Sequence, residues 1–429
     1  MTANSKRLVL LFGALLLVPS GCARTRADEA GEPAVTQGLS FRDSILIGDP
    51  ELNPGDPYLR VSQDKEVFVS WSQDNPQAEG HNTRDLFVSA VKAGGQELGE
   101  PRRANDRPIS SHGGENLAKF TIGLDGSLTA IMPLVGSEMH TGDLMTSYAE
   151  KGEPFSSTNV ARLNDDNVVA NHGFTDIATS PDGRIFASWV DGRNDLDQSE
   201  LFMAVSEDGG KTFSKNYQIG EEACNCCRPN IVFLDGGRTI ALSHRFVDPD
   251  NVRNHVMVRS VDGGKTFSDP IPISDDGWVS HGCPHAGISI AADQQEVIHA
   301  VWWTGGRTKQ EAGIYYTRSE DGGQSFAPRQ LIAEARDDIV MHTHITVDQN
   351  DTLYAAWVNL EDNQPKIFLA YRPIGETEWS PIQQVNDNPD WYAFYPMLST
   401  DEENLYLSWM ERKGEGMRIK LRTSYLAGL

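Results

Sequence analysis

The chain has 429 residues and a formal net charge of −24 at pH 7. A surface that acidic repels phosphate backbones and anionic membrane faces, which argues against nucleic acid as a partner and suits solubility, metal ions and small-molecule ligands. The five cysteines are sparse for this length, yet three of them fall within four positions, at Cys224, Cys226 and Cys227.

In chain order, Lys6 and Arg7 precede an apolar run, Leu8–Val18, that is too short to span a bilayer and reads as an export signal. The run ends in "VPSGC", which resembles the lipobox of bacterial lipoproteins. The resemblance implies that Cys22 is acylated and holds the protein on a membrane facing the periplasm or the cell surface. Pro19 departs from the Leu usual in that motif, and plain secretion is the alternative. Lys6 and Arg7 are the only charges in this segment, so the remainder carries −26. Residues 23–37 have no apolar period and read as a flexible tether. The folded part is expected over 38–429, and no second apolar stretch within it is long enough for a membrane helix.

That part is organised by an internal repeat, which outweighs the two or three domains its length would suggest. "SEDGGKTF" at Ser206, "SVDGGKTF" at Ser260 and "SEDGGQSF" at Ser319 are near copies. In each, Asp and Gly form a tight turn and the following aromatic packs beneath it. These segments match the Asp-box, and on them the chain resembles the sialidase-like β-propellers. Turns at Asp64, Asp125, Asp182, Asp235, Asp293, Asp348 and Asp401 recur at the same period. The strands after them often end in Trp: Trp71, Trp189, Trp303, Trp357 and Trp409. The expected fold is therefore all-β, a seven-bladed propeller, with the six blades of sialidases proper as the alternative. The last repeat lacks an outer strand. "FRDSILIGD" at Phe41–Asp49 aligns with the outer strand "FSDPIPISD" at Phe267–Asp275, so an N-terminal strand is expected to complete the last blade and remove an open edge. A closed ring gives no reason to oligomerise, and a monomer is expected.

In this phase the connections that open on the ligand-binding face hold most histidines, among them His112, His140 and His172. Cys224, Cys226 and Cys227 precede one inner strand. His281, Cys283 and His285 precede the next, and Met341, His342 and His344 the one after. Three readings of this sector stand side by side. Four cysteines can pair in an oxidising compartment, with Cys283 the natural partner for one of the three. Adjacent Cys226 and Cys227 are poorly placed to bridge each other. Alternatively, thiolates with imidazoles at His172, His281, His285, His342 and His344 suit copper or zinc. The third reading is a reactive cysteine, its thiol acidified by Arg228.

The sialidase resemblance implies an arginine triad for a substrate carboxylate, a Tyr activated by Glu, and an Asp acid/base. No matching Arg motif is present near the N-terminus, where "DPYLRVSQD" places Arg60 within a strand. Substitutes are Arg228, Arg193, Arg245 and Arg307, with Tyr392, Tyr395, Glu115 and Asp176 as the remaining candidates. Two functions follow. The first is an envelope lipoprotein with a Cys/His metal site, most readily copper, in metal binding, delivery or redox chemistry. The second is a glycan-binding or glycoside-cleaving propeller whose cysteines are structural.

Overall fold

The computed structural model describes residues 38–111, 115–136, 141–194, 199–282, 284–336, 342–388 and 390–426. The export signal with Cys22, the tether, Cys283, His112, His140 and Met341 lie outside these residues.

Regular structure is antiparallel β throughout, with four single-turn 3₁₀ segments among the described residues. The strands fall into consecutive four-strand runs, as the repeat requires. The first strands of the runs are Gly55–Val61, Lys119–Ile122, His172–Thr179, Asn230–Leu234, Ser289–Ala292, Thr343–Val347 and Tyr392–Thr400. Each packs against the next, and Tyr392–Thr400 packs back against Gly55–Val61. Between the sheets lie the tryptophans expected at strand ends: Trp71, Trp189, Trp303, Trp357 and Trp409 are all at most 2% exposed. Burying side chains of this size supplies much of the sheet-to-sheet adhesion.

The three Ser-x-Asp-Gly-Gly turns are built alike. Ser206 Oγ accepts from Gly210 N (2.8 Å) and donates to Asp208 Oδ1 (2.8 Å), while Thr212 N and Oγ1 donate to the two Asp208 oxygens. Ser260, Asp262, Gly264 and Thr266 repeat the pattern, as do Ser319, Asp321, Gly323 and Ser325. The glycine that donates in each turn has a positive φ, 96° at Gly210 and 91° at Gly264, a conformation open to glycine at little cost.

Two departures from regularity place the functional groups. The N-terminal strand Ile45–Ile47 pairs with Gly416–Tyr425, Ile45 opposite Leu421 and Ile47 opposite Ile419. Elsewhere, two neighbouring runs merge into one sheet. The last strand of one, Tyr217–Ala223, touches Thr239–Val247 of the next through the pair Ala223–Phe246. The three cysteines begin at that seam.

Candidate functional site

The seam fixes the cysteines. Cys224 N donates to Arg245 O (2.8 Å) and Cys227 N to Cys224 O (3.4 Å), so the segment folds into a tight turn. The three sulfurs face one another: Sγ–Sγ is 3.7 Å for Cys224–Cys226 and 3.4 Å for Cys224–Cys227. Neither is a disulfide distance, and all three thiols are free and buried. Arg253 Nη1 donates to Cys224 Sγ at 3.0 Å. Hydrogen bonds from Cys226 and Cys227, aided by the charges of Arg253 and Arg245, hold the Cys224 thiol well below its ordinary range. Burial pushes Cys227 up, and hydrogen bonding to Cys224 pushes Cys226 up.

The histidines expected beside the cysteines are placed elsewhere. His172 is buried with Asp166 (3.2 Å) and Asp191 (3.6 Å), and its Nδ1 bonds Gly142 O (2.6 Å). Three such groups resemble a metal site, but Arg193 already pairs Asp166 (3.0 Å) and Asp191 (2.7 Å), so the cluster is neutralised by an arginine. His281 and His285 are exposed. His285 (φ 48°) lies against Phe174, which in turn packs on the cysteines. His342 and His344 face the inside of the strand ring.

That interior has two floors. In the lower, Asp176 is fully buried and gathers Lys119 Nζ (3.1 Å), Tyr58 OH (3.1 Å), Asn230 Nδ2 (3.0 Å) and Ile231 N (2.9 Å), with Arg60 at 3.8 Å. Burial would raise the Asp176 pKa, but Lys119 and Arg60 outweigh it and hold it at about 2. Burial pulls Lys119 down to about 8 against the attraction of Asp176. At neutral pH both remain charged, as a strut across the ring. Below it opens a cavity of about 300 Å³ whose lining includes Arg60, Thr121, Thr179, His344 and Ser399. His344 is neutral, its pKa lowered to about 3 by burial and then by Arg228, Arg60 and Lys119.

The upper floor is the channel mouth. Glu115, 1% exposed, accepts from Arg228 N (3.0 Å), from the Arg228 guanidinium and from Gly287 N (3.0 Å). The Glu115–Arg228 pair is thus a buried ion pair stitching three sheets, with Glu115 engaging the guanidinium through Nη1. Arg193 is likewise committed to protein partners, Arg245 is fully buried and donates to Ala286 O and Trp303 O through Nε and Nη2, and Arg307 pairs with Asp275 on the surface.

Around this pair four non-glycine residues have left-handed backbone: Asp56 (φ 60°), Phe174 (52°), His285 (48°) and Tyr395 (51°). Three lie at register shifts in first strands, between Gly55 and Tyr58, Gly173 and Asp176, and Phe394 and Met397. Such bulges cost energy and re-aim side chains, and they gather at working sites. The Tyr395 ring lies 3.9 Å from that of His342 and next to Phe394, which touches the exposed Tyr392. Burial raises the Tyr395 pKa, with Glu115 and Asp56 adding to it, while burial drops His342 to about 3. His342 is buried against the Tyr395 ring. Asp56 Oδ2 accepts from Ser72 Oγ (2.8 Å) and Ser111 Oγ (2.7 Å), leaving Oδ1 without a partner. Beside them is a cavity of about 380 Å³ lined by Asp56, Ser111, Phe394, Tyr395, Met410 and Arg412, among others.

Of the catalytic candidates, the structure brings Glu115, Arg228 and Tyr395 together, sets Tyr392 at the rim and places Asp176 one floor below. Sequence reasoning missed Asp56 and gave no role to Arg253 or to the burial of His244 and His255. Only the "GDP" that opens a first strand hinted at Asp56.

No family model and no curated protein matches the sequence. Solved structures do. A protein of unknown function from Dyadobacter fermentans is 12% identical over 90% of this chain and 99% of its own, with a TM-score of 0.53. An ulvan lyase of polysaccharide lyase family PL25 is 11% identical over 86% and 93%, with a TM-score of 0.55. The NanB sialidase of Streptococcus pneumoniae is 11% identical over 90% and 70%, with a TM-score of 0.51. At such identities the likeness shows the fold: a sialidase-like β-propeller.

Proposed function

We propose that this chain is an exported, glycan-active propeller whose ligand site is the channel mouth around Tyr395, His342 and Asp56. Seven first strands packed in sequence, and an N-terminal strand paired to the last, support a seven-bladed ring. The export segment supports a cell-envelope setting, with Cys22 as the lipid anchor. The observation that carries the reading is the coincidence, at one mouth, of an aromatic surface with a buried carboxylate oxygen that has spare capacity. Tyr392, Phe394 and Tyr395 offer faces on which a sugar ring can stack. Asp56 Oδ1 awaits a hydroxyl in the lining of a cavity of about 380 Å³. The neighbouring glycan-cleaving propellers are consistent with this.

The committed arginines direct the choice of substrate. Arg228 is engaged by Glu115, and Arg84 by Asp74 (2.7 Å), Ser72 and Asn53; among the described residues only Arg84 and Arg412 line the mouth cavity, short of a triad for a free sugar carboxylate. The expected ligands are neutral sugars or polysaccharides whose charge lies away from the bound ring. A panel of neutral, uronic-acid and sulfated polysaccharides, read by affinity electrophoresis and by release of reducing ends, tests this. Binding of a panel member that falls at least tenfold in both Tyr395→Ala and Asp56→Asn supports the reading. Failure to bind any member, or binding that neither substitution alters, refutes it.

A further inference from the structure

The cysteine turn lies outside the channel mouth and calls for its own account. Three sulfurs within 4.8 Å of one another are a ready-made soft-donor set, and the turn that carries them reaches the surface at Asn225. Around them the protein has arranged positive charge. Arg253, 7% exposed, aims Nη1 at Cys224 Sγ (3.0 Å) and is itself held by Ser280 O through Nε (2.8 Å). Arg245 is fully buried next to the turn. Its Nε and Nη2 donate to Ala286 O, but its Nη1 has no partner.

Two buried guanidiniums are costly unless they face negative charge. Three neutral thiols supply none, and a single thiolate balances only one of them. Three thiolates around a monovalent cation leave a charge of −2, which the two arginines match. Three-coordinate sulfur binding is a habit of monovalent copper, whereas zinc wants a fourth ligand. Packing beside Phe174 and Val247 keeps water from the sulfurs, which favours the reduced ion and protects the thiolates.

We propose that Cys224, Cys226 and Cys227 form a trigonal Cu(I) site, with Arg253 and Arg245 as its charge-balancing outer partners. Binding is written as Cu⁺ joining three thiolate sulfurs, each thiol proton still present leaving to solvent; no electron is transferred. The site is separate from the glycan reading, since it uses none of Tyr395, His342 or Asp56, and either can fail alone.

The test is an anaerobic Cu(I) titration of the full, reduced protein against a chromophoric Cu(I) chelator, with Zn(II) run in parallel. The expected result is one Cu(I) per chain and a sulfur-to-copper charge-transfer band. Cys226→Ser should abolish the band, and Arg253→Gln should weaken Cu(I) about 10–100-fold as an outer-partner loss. Because a buried serine can impair folding, each variant is also melted with and without Cu(I). A Cu(I)-dependent rise in Tm must appear in the parent and be absent from a folded Cys226→Ser. Cu(I) uptake unchanged in the Cys224→Ser/Cys226→Ser/Cys227→Ser variant, preferential Zn(II) binding, or a disulfide in anaerobically isolated protein would each overturn the proposal.

Discussion

Lowering the pH from 7.5 to 5.5 should remove a sizeable share of the stability of this fold through its buried histidines; His244, its pKa lowered by burial to about 4, acts in the same direction as three others. His255, His342 and His344 are held neutral by burial: the latter two have pKa values of about 3, and His255 is well below its ordinary value. In the unfolded chain each takes up a proton near pH 6.5. Between the two values the unfolded state holds more protons, so stability is full above the unfolded pKa and is lost as pH falls toward the folded one. Over the interval from 7.5 to 5.5 each group contributes a factor of about ten, or roughly 1–2 kcal/mol, and three contribute about 4 kcal/mol. That is a large part of the 5–15 kcal/mol typical of a domain. Urea unfolding followed by tryptophan fluorescence at pH 7.5, 6.5 and 5.5 measures the loss. Proton uptake on unfolding at pH 5.5 should approach three per chain from these groups. Because burial rather than surface charge causes the shifts, added salt should leave the slope largely unchanged. Stability that is flat over this interval, or uptake of fewer than one proton, would refute the reasoning.

Other outcomes follow from single contacts. Asp176→Asn removes the countercharge of buried Lys119 and should cost about 3–5 kcal/mol in urea unfolding, as expected when one partner of a buried pair is lost. Ser206→Ala leaves the buried Gly210 N–H without an acceptor and should cost about 1–3 kcal/mol, with Ser260→Ala and Ser319→Ala similar because the three turns are copies.

How far the sequence discloses this molecule depends on whether a feature is local. The Ser206, Ser260 and Ser319 turns are local: each hydrogen bond lies within five residues, so the motif and the geometry are the same information. The strand alternation around Trp189 and Trp357 is local in the same sense, and so was the likeness of Phe41–Asp49 to an outer strand. The site is not local. Glu115 meets Arg228 across 113 positions and Gly287 across 172, and nothing in "GGENL" announces either partner. The bulges at Asp56, Phe174 and Tyr395 re-aim side chains that a regular strand would place by simple alternation. This explains why the ring phase put His172, His342 and His344 on the correct strands yet did not separate their neighbours. Arg253 reaches Cys224 from a different strand, and only the seam at Ala223–Phe246 brings the two together.

The pairing of Ile45–Ile47 with Gly416–Tyr425 also sets a clock. Its partners are 376 positions apart, with Lys420 Nζ donating to Ser44 Oγ across that span. At about 5–20 residues per second of synthesis, the first strand waits roughly 20–75 s for the last to exist. During that wait both it and the edge it will cover are free to meet another chain. Nothing in the finished molecule hints at this interval, yet it is when the protein is most exposed to wrong pairing. A helper that shields a short apolar strand would matter more to the yield of this protein than to its final stability.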